Sequence, residues 1–398
     1  MVKITAKDLP PMSIWPEKIY TLPELQNYPE KMNSTEEFVD KNLQEGRGNS
    51  VAIYYKDQRI TYRELYYTVN RLCNSLKELG IEEDDRVIIW CANIPEALVA
   101  NFAIIKIGAV AVPTSPLMSH EEIAYICNNS GAKAIICEER LLAQVEAARD
   151  EITTVEKIIV INGNILDIKA KGFIPYSLLV TGGKKEYTSV LRDRQAVSLI
   201  LYTSGTTGMP KGTVHFMEDL LIIADVWGKY CYGGVRPDDV LSTTGPLAFA
   251  AGHTLIAAIP FRFGASCSLI PKFEPGEMLR IIENHGISIM KMPPTAYRKI
   301  CLAADARKEY DLSSLRICTS GGEAMDTKTF TAWKEMSGLD IYEAFGNTEM
   351  LFSFVVNVFG QPPRIGSPGQ ATPGYEIKVV DDEGNACKPH EIGRLLDV

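Results

Sequence analysis

One join constrains this chain more than any other feature. An apolar run from Ala196 to Leu201, suited to a buried strand, passes directly into Tyr202-Thr203-Ser204-Gly205-Thr206-Thr207-Gly208-Met209-Pro210-Lys211-Gly212. Glycine lets a backbone turn tightly and bring its N–H groups close to an anion. The hydroxyls of Thr203, Ser204, Thr206 and Thr207 add donors, and Lys211 adds a compact positive charge. A Ser/Thr-rich surface turn is the plain alternative, but a buried strand leading straight into the loop argues against it. The loop is read as a phosphate site. It differs from G-x-x-x-x-G-K-[ST], because Gly212 follows Lys211 and no hydroxyl stands directly after the lysine to reach magnesium.

The surrounding rhythm is that of alternating strands and helices. Val87–Cys91, Ala109–Pro113, Ala134–Cys137 and Ile158–Ile161 read as strands. Helices are expected from Pro95 through Lys106, after Ser119 with its capping-box partner Glu122, and from about Leu141. This is a doubly wound parallel α/β pattern. Residues 164 to 194 lack periodicity and read as a connection. The rhythm resumes with helical candidates Glu218–Tyr230, Gly276–His285, Thr295–Ala304 and Asp326–Ser337. Strand candidates are Val240–Thr243, Cys267–Ile270, Ile287–Met292, Leu315–Cys318 and Asp340–Ala344. Beyond Gly346 only short β-rich pieces follow, including the alternating Tyr375–Val380. Three units are therefore expected: a first α/β subdomain over 1–190, a second over 191–342 that includes the phosphate loop, and a truncated β-barrel over 343–398.

Composition excludes several classes. Length alone, 398 residues, allows a sizeable core. Forty-one basic against fifty acidic residues give a net charge of −9, which argues against a nucleic-acid partner. The nine cysteines are dispersed, with no C-x-x-C pair, so neither a zinc site nor a disulfide framework is expected, and a reducing cytoplasm fits best. The longest apolar run, Ala97–Val112, is interrupted by Asn101 and Lys106 and is too short for a membrane span.

Two further segments carry chemistry. Tyr342-Glu343-Ala344-Phe345-Gly346-Asn347-Thr348-Glu349 offers an aromatic ring, a hydroxyl and a hard carboxylate suited to magnesium beside phosphates. Ser320-Gly321-Gly322-Glu323-Ala324 follows a strand and is either a tight βα turn or a place where a ligand meets the backbone. Taken with the loop, these segments resemble the adenylate-forming superfamily of acyl-CoA synthetases, luciferases and peptide-synthetase adenylation domains. Thr203–Gly212 matches every position of that family's pattern [ST]-[ST]-G-[ST]-T-G-x-P-K-G, and Phe345–Glu349 matches its aromatic-G-x-T-E signature in the right order.

The resemblance covers nearly the whole chain and implies two similar α/β subdomains and a small, incomplete β-barrel. It also implies roles. Thr203, Ser204, Gly205, Thr206, Thr207, Gly208 and Lys211 would hold the phosphates of ATP or AMP. Gly321, Gly322, Glu323, Ala324, Glu343, Ala344, Phe345 and Gly346 would face the adenosine, and Thr348 the α-phosphate. Glu349 and Thr206 would ligate Mg2+, with Lys211, Thr348 and Glu349 acting in catalysis. Gly245–His253 resembles the segment lining the acyl pocket, with Phe249, Ala250, Gly252 and His253 as substrate residues. No acidic residue occurs between Gly245 and Ile259, which disfavours an amino-acid substrate, so an apolar pocket with His253 as its one polar candidate is expected. A lone histidine is also commonly a satisfied core residue. Trp15-Pro16-Glu17, PPTAYR at Pro293–Arg298, AWKEMSG at Ala332–Gly338, NTEML at Asn347–Leu351 and the stretch Pro363–Gly384 look like the benzoate and 2-aminobenzoate CoA ligase branch.

The implied reaction joins a carboxylic acid, aromatic or short aliphatic, to ATP as an acyl-adenylate, releasing pyrophosphate, and then to coenzyme A as a thioester. Both first reactants are anions, so positioning and charge neutralisation would carry the step. In the family, a Tyr-x-x-Gly-Asp motif and a smaller C-terminal lid domain with the adenylation lysine follow the stretch that ends here at Leu395-Leu396-Asp397-Val398. The expectation is an N-terminal domain without its lid, poorly active unless that domain is supplied in trans or by a longer chain; a homodimer is compatible with it. The alternative is a noncatalytic nucleotide or acyl-AMP binding module, or one half of a split ligase.

Overall fold

A computed structural model describes residues 9, 11, 13, 15, 18–203, 208–303 and 310–397. Two large sheets, each with strands whose alternate residues are apolar on both faces, organise the chain. In the strand Arg86–Trp90, Val87 and Ile89 point into one core while Ile88 and Trp90 point into another. Period-2 alternation in a strand buried on both faces produces this division. The first sheet has the order Lys211–Phe216, Val197–Thr203, Val110–Thr114, Arg86–Trp90, Ala134–Glu138, Lys157–Ile161, Ile174–Pro175. All its neighbours are parallel except Lys211–Phe216, which runs antiparallel at the edge.

The second sheet has the order Gln370–Ala371, Ser353–Val356, Ile341–Gly346, Ile317–Ser320, Ile289–Met292, Val240–Thr243, Ser266–Ser268, Val51–Tyr55, Gln58–Thr61. Its middle is parallel and both its ends are antiparallel. Helices fill the space between the sheets and cover both outer faces. The helix Pro95–Lys106 lies in the central core and is buried nearly all round, so its sequence PEALVANFAIIK is apolar on every side. The amphipathic helices Pro275–His285, Pro294–Leu302 and Thr327–Ser337 instead cover the outer face of the second sheet.

Lys106 shows how that central layer tolerates a charge. Its ammonium is completely buried and donates to Asp40 Oδ1 at 2.6 Å and Asn70 Oδ1 at 2.7 Å. A buried ion needs such partners, because desolvation otherwise exceeds what the site returns.

Most sequence-derived elements are present within a residue or two, from Pro95–Lys106 and the capping box Ser119/Glu122 to Val240–Thr243. Three expectations need correction. The phosphate loop belongs to the first sheet, not to a unit beginning at 191, because Val197–Thr203 pairs with Val110–Thr114. Conversely, the hairpin Val51–Tyr55/Gln58–Thr61 crosses over to the far edge of the second sheet, so the two α/β units are not contiguous stretches of sequence. The supposed connection 164–194 contains the short helices Ile165–Ala170 and Tyr176–Val180 and the edge strand Ile174–Pro175. In the expected barrel region, Ser353–Val356 and Gln370–Ala371 extend the second sheet while Ile377–Val380 pairs only with Arg394–Asp397.

Candidate adenylate site

The candidate residues collect at the carboxyl ends of the two sheets, where open α/β sheets bind ligands. Thr203 closes a strand of the first sheet and faces Lys211 across an antiparallel pair. Ser204, Gly205, Thr206 and Thr207 lie outside the described residues. Thr203 is half-buried, and Gly208 and Lys211 are exposed. A strand, Lys211–Phe216, rather than a helix, follows Gly208–Pro210, so no helix N-terminus stands at this end of the hairpin. Positive charge at this end comes from Lys211 and not from a helix dipole.

The hairpin is anchored by its buried face. Tyr202 donates to Asn129 Oδ1 at 2.6 Å, and His215 is buried opposite, against the Thr348–Glu349 turn. Burial pushes the His215 imidazole below its ordinary pKa, and Asp219, the Thr348 backbone and Glu349 oppose that shift. The phosphate hairpin of the first sheet thus meets the Thr348–Glu349 turn that follows the Ile341–Gly346 strand of the second. Asn93, just beyond Arg86–Trp90, makes a second bridge. It donates to the Gly245 carbonyl at 3.0 Å and accepts from the Leu247 N–H at 2.8 Å. The Asn93 bridge joins the carboxyl ends of the two sheets, whereas His215 pairs with Leu199, four residues below the Thr203/Lys211 end of its hairpin.

On the second sheet, Phe345 and Phe249 are partly exposed aromatic faces, at 48% and 41%. Phe345 is set by edge contact with Phe354, their centroids 5.6 Å apart. Thr348 is half-buried in a turn closed by Leu351 N–H donating to its carbonyl. Glu349 is exposed, and among the described residues its carboxylate has no hydrogen-bond or ion-pair partner. Among the described residues no group of three His, Cys, Asp or Glu side chains could hold a metal. A single exposed carboxylate suits magnesium shared with substrate phosphates, not a closed protein cage.

Other candidates have structural duties. Glu343 is buried; its Oε1 accepts from Met325 N–H and its Oε2 from Gly366 N–H, both at 2.9 Å. Its carboxylate therefore ties the turn after Ser320 to the 364–367 loop. Gly252 packs against backbone: a Cβ there would lie 1.8 Å from the Pro246 carbonyl oxygen. Ala250 is buried, and Gly346 faces the Phe352 carbonyl too closely for any side chain. Gly321, Gly322, Glu323 and Ala324 form the turn after Ile317–Ser320, with Gly322, Glu323 and Ala324 exposed. A Cβ on Gly321 would come within 2.7 Å of the Ala344 carbonyl oxygen.

His253 is fully buried, with Nε2 3.3 Å from Asn101 Oδ1, and burial aided by His215 pushes its pKa down to about 3. It is a neutral imidazole. A second buried polar group not anticipated from the sequence is Lys291 of Ile289–Met292, 3.1 Å from where a Gly321 Cβ would stand. The signal was present as a lone lysine inside the apolar run Ile-Met-Lys-Met.

Residues 40–396 match the model of a family described as AMP-binding enzyme. The chain belongs to the AMP-binding enzyme family. It is 30% identical over 358 residues to a benzoate–CoA ligase of Thauera aromatica, covering 89% of this chain and 66% of the relative. An acetyl-coenzyme A synthetase of Bacillus subtilis (strain 168) is 28% identical over 375 residues, covering 92% and 64% respectively. The chain thus spans about two thirds of the length of these relatives. Among solved structures, the anthranilate CoA ligase AuaEII in complex with anthranoyl-AMP superposes with a TM-score of 0.87 at 31% identity, covering 93% of this chain and 70% of that one. A benzoate CoA ligase from Burkholderia xenovorans LB400, at 24% identity and a TM-score of 0.82, shares the fold. No helix among the described residues is long and apolar enough to cross a membrane.

Proposed function

We propose that this chain binds ATP with magnesium at the hairpin Thr203–Lys211 and the Thr348–Glu349 turn, and carries the adenylating half of an AMP-forming acyl-CoA synthetase. The observation that supports this most directly is that the strand leaving the loop carries a buried His215 against the Thr348 backbone, with the Glu349 carboxylate near enough to act on its imidazole. Glu349 would hold magnesium together with the phosphates, and the metal would supply charge neutralisation there. Lys211 and the loop N–H groups would orient the phosphates, Thr348 would hydrogen-bond the α-phosphate, and Phe345 would stack on adenine. Bringing two anions together is then a matter of positioning and fixed positive charge, with no protein nucleophile.

For the acid, the neutral segment around Phe249 supports an aromatic or short aliphatic carboxylate. Relatives and neighbours named for benzoate, anthranilate and acetate support the same range. Coenzyme A would take the acyl group in the second half-reaction, with the remaining third of such a relative supplied in trans as the partner for full turnover. Calorimetry with ATP and magnesium tests the reading. Binding is expected in the wild type and is expected to weaken at least tenfold in Lys211→Ala and Glu349→Gln, about the worth of one charge-assisted hydrogen bond. Folded protein that binds no nucleotide would remove the proposal.

A further inference from the structure

Three lysines among the described residues are buried: Lys106, Lys133 and Lys291. Two are paired in the ordinary way. Lys106 donates to Asp40 and Asn70, and Lys133 donates to Asp85 Oδ2 at 2.9 Å and the Gly80 carbonyl at 2.8 Å. Lys291 differs. Its Nζ is buried with no hydrogen-bond partner among the described residues, so three N–H donors are unused.

What surrounds Lys291 is aromatic. The ammonium lies 4.7 Å from the Phe352 ring centroid and 5.7 Å from that of Trp227. Cation–π contact offsets part of the desolvation but uses none of the N–H donors. Burial lowers its pKa to about 8, with the Cys231 thiol opposing, which leaves it mostly protonated at neutral pH. A methionine would fill the same volume without burying a charge, so packing alone does not account for a lysine here.

Its position ties it to the candidate site. A Gly321 Cβ would stand 3.1 Å from its Nζ, so the ammonium faces the turn that follows Ile317–Ser320. Phe352 adjoins Leu351, whose carbonyl accepts from Thr254 Oγ1 at 3.1 Å in the helical continuation of the Ala250–His253 segment. Lys291 therefore stands between the segment read as the acyl pocket and the turn read as the adenine contact. Trp227, whose ring the ammonium faces, opens the π-helical stretch Trp227–Cys231, and such wide turns recur at functional sites. Ser320 Oγ, one strand over, is a second buried polar atom with no partner among the described residues.

We propose that Lys291 is a specificity residue of the acyl pocket, taking a second oxygen acceptor (a phenolic hydroxyl or second carboxylate) carried by the acid at the end remote from the carboxylate that is activated. This rests on the adenylating reading above. A site built around an unpaired buried donor rejects ligands that leave it unpaired far more strongly than an apolar pocket rejects an extra polar group.

Calorimetry in the presence of AMP, comparing benzoate with 3- and 4-hydroxybenzoate and isophthalate, and butyrate with succinate, tests it. At least one acid with a second acceptor is expected to bind about tenfold or more tighter than its parent, the range for a hydrogen bond to a charged group. In Lys291→Met that preference is expected to collapse to about threefold or less while the parent acids bind as well or better. Anthranilate, whose ring substituent is an amine donor, is expected to gain nothing over benzoate. If the wild type binds AMP and the parent acids without preferring any second acceptor, the inference is wrong while the adenylating reading stands. If Lys291→Met weakens all acids alike, Lys291 is a structural pillar and the inference is again wrong. Folded protein that binds no acid at all overturns both. The wild-type comparison decides the question even if the variant fails to fold.

Discussion

Gly252 separates packing from substrate contact at the scale of one residue. The resemblance marks it as a pocket residue, yet a Cβ would sit 1.8 Å from the Pro246 carbonyl oxygen and 2.8 Å from that of Gly245. Backbone on both sides leaves no flexible group to give way. Gly252→Ala is expected to cost about 1–3 kcal/mol or more through overpacking, read as a fall in thermal midpoint of several degrees. Phe249→Ala, three residues earlier and 41% exposed, should leave the midpoint within about 0.5 kcal/mol of wild type and change only acid binding. Equal midpoints for Gly252→Ala and wild type would show that the segment yields and that the glycine serves the ligand. The same logic places Glu343 in the scaffold, where both carboxylate oxygens are engaged by backbone N–H groups.

Helix starts decide how much of the architecture is local at the scale of elements. The capping box Ser119/Glu122 was legible as a pattern, and the structure has both of its hydrogen bonds. The same pattern at Thr61/Glu64 opens the helix Tyr62–Glu78, with Thr61 Oγ1 accepting from Glu64 N–H at 3.2 Å and Glu64 Oε2 from Thr61 N–H at 2.8 Å. The sequence hides this one, because the flanking strand Gln58–Thr61 has an exposed, polar start and carries no strong strand signal. Thr61→Ala is expected to cost about 1 kcal/mol in urea melts, with an unchanged m-value, since one cap is lost and the core is untouched. A change below about 0.3 kcal/mol would mean that packing against Pro95–Lys106 alone sets this helix. The π-helical stretches at Trp227 and Thr254 had no sequence signature, because a wide turn is imposed by neighbouring side chains and not by propensity.

The meeting of the two sheets carries a pH dependence at the scale of the whole molecule. His253 remains neutral in the folded protein down to about pH 3, and burial also lowers the pKa of His215. In the unfolded chain each imidazole protonates near its ordinary value of about 6.5. Between those limits the unfolded state holds the extra proton, so stability rises with pH through the window and is fully present above it. Each such group contributes up to about 1.4 kcal/mol per pH unit of slope. Urea melts between pH 5 and 7.5 should show this rise, and His253→Gln should flatten it whatever its effect on absolute stability. An identical slope in that variant would place the titration elsewhere.

The sequence by itself determined the local and the chemical. Strands buried on both faces, amphipathic outer helices, capping boxes and the Thr203–Gly212 pattern are all written in consecutive residues, so the α/β class and the family resemblance were readable in order. The tertiary structure alone decided which sheet each strand joins. The hairpin Val51–Tyr55/Gln58–Thr61 enters the second sheet beside Ser266–Ser268, and the phosphate hairpin enters the first, because sheet membership depends on distant partners and not on propensity. It also decided which polar groups are used up. Glu343 and Lys106 are consumed by partners far away in the sequence, whereas Lys291 is enclosed by Phe352 and Trp227 with its donors unspent. Burial and hydrogen bonding are properties of neighbours in space, and only folding supplies those neighbours.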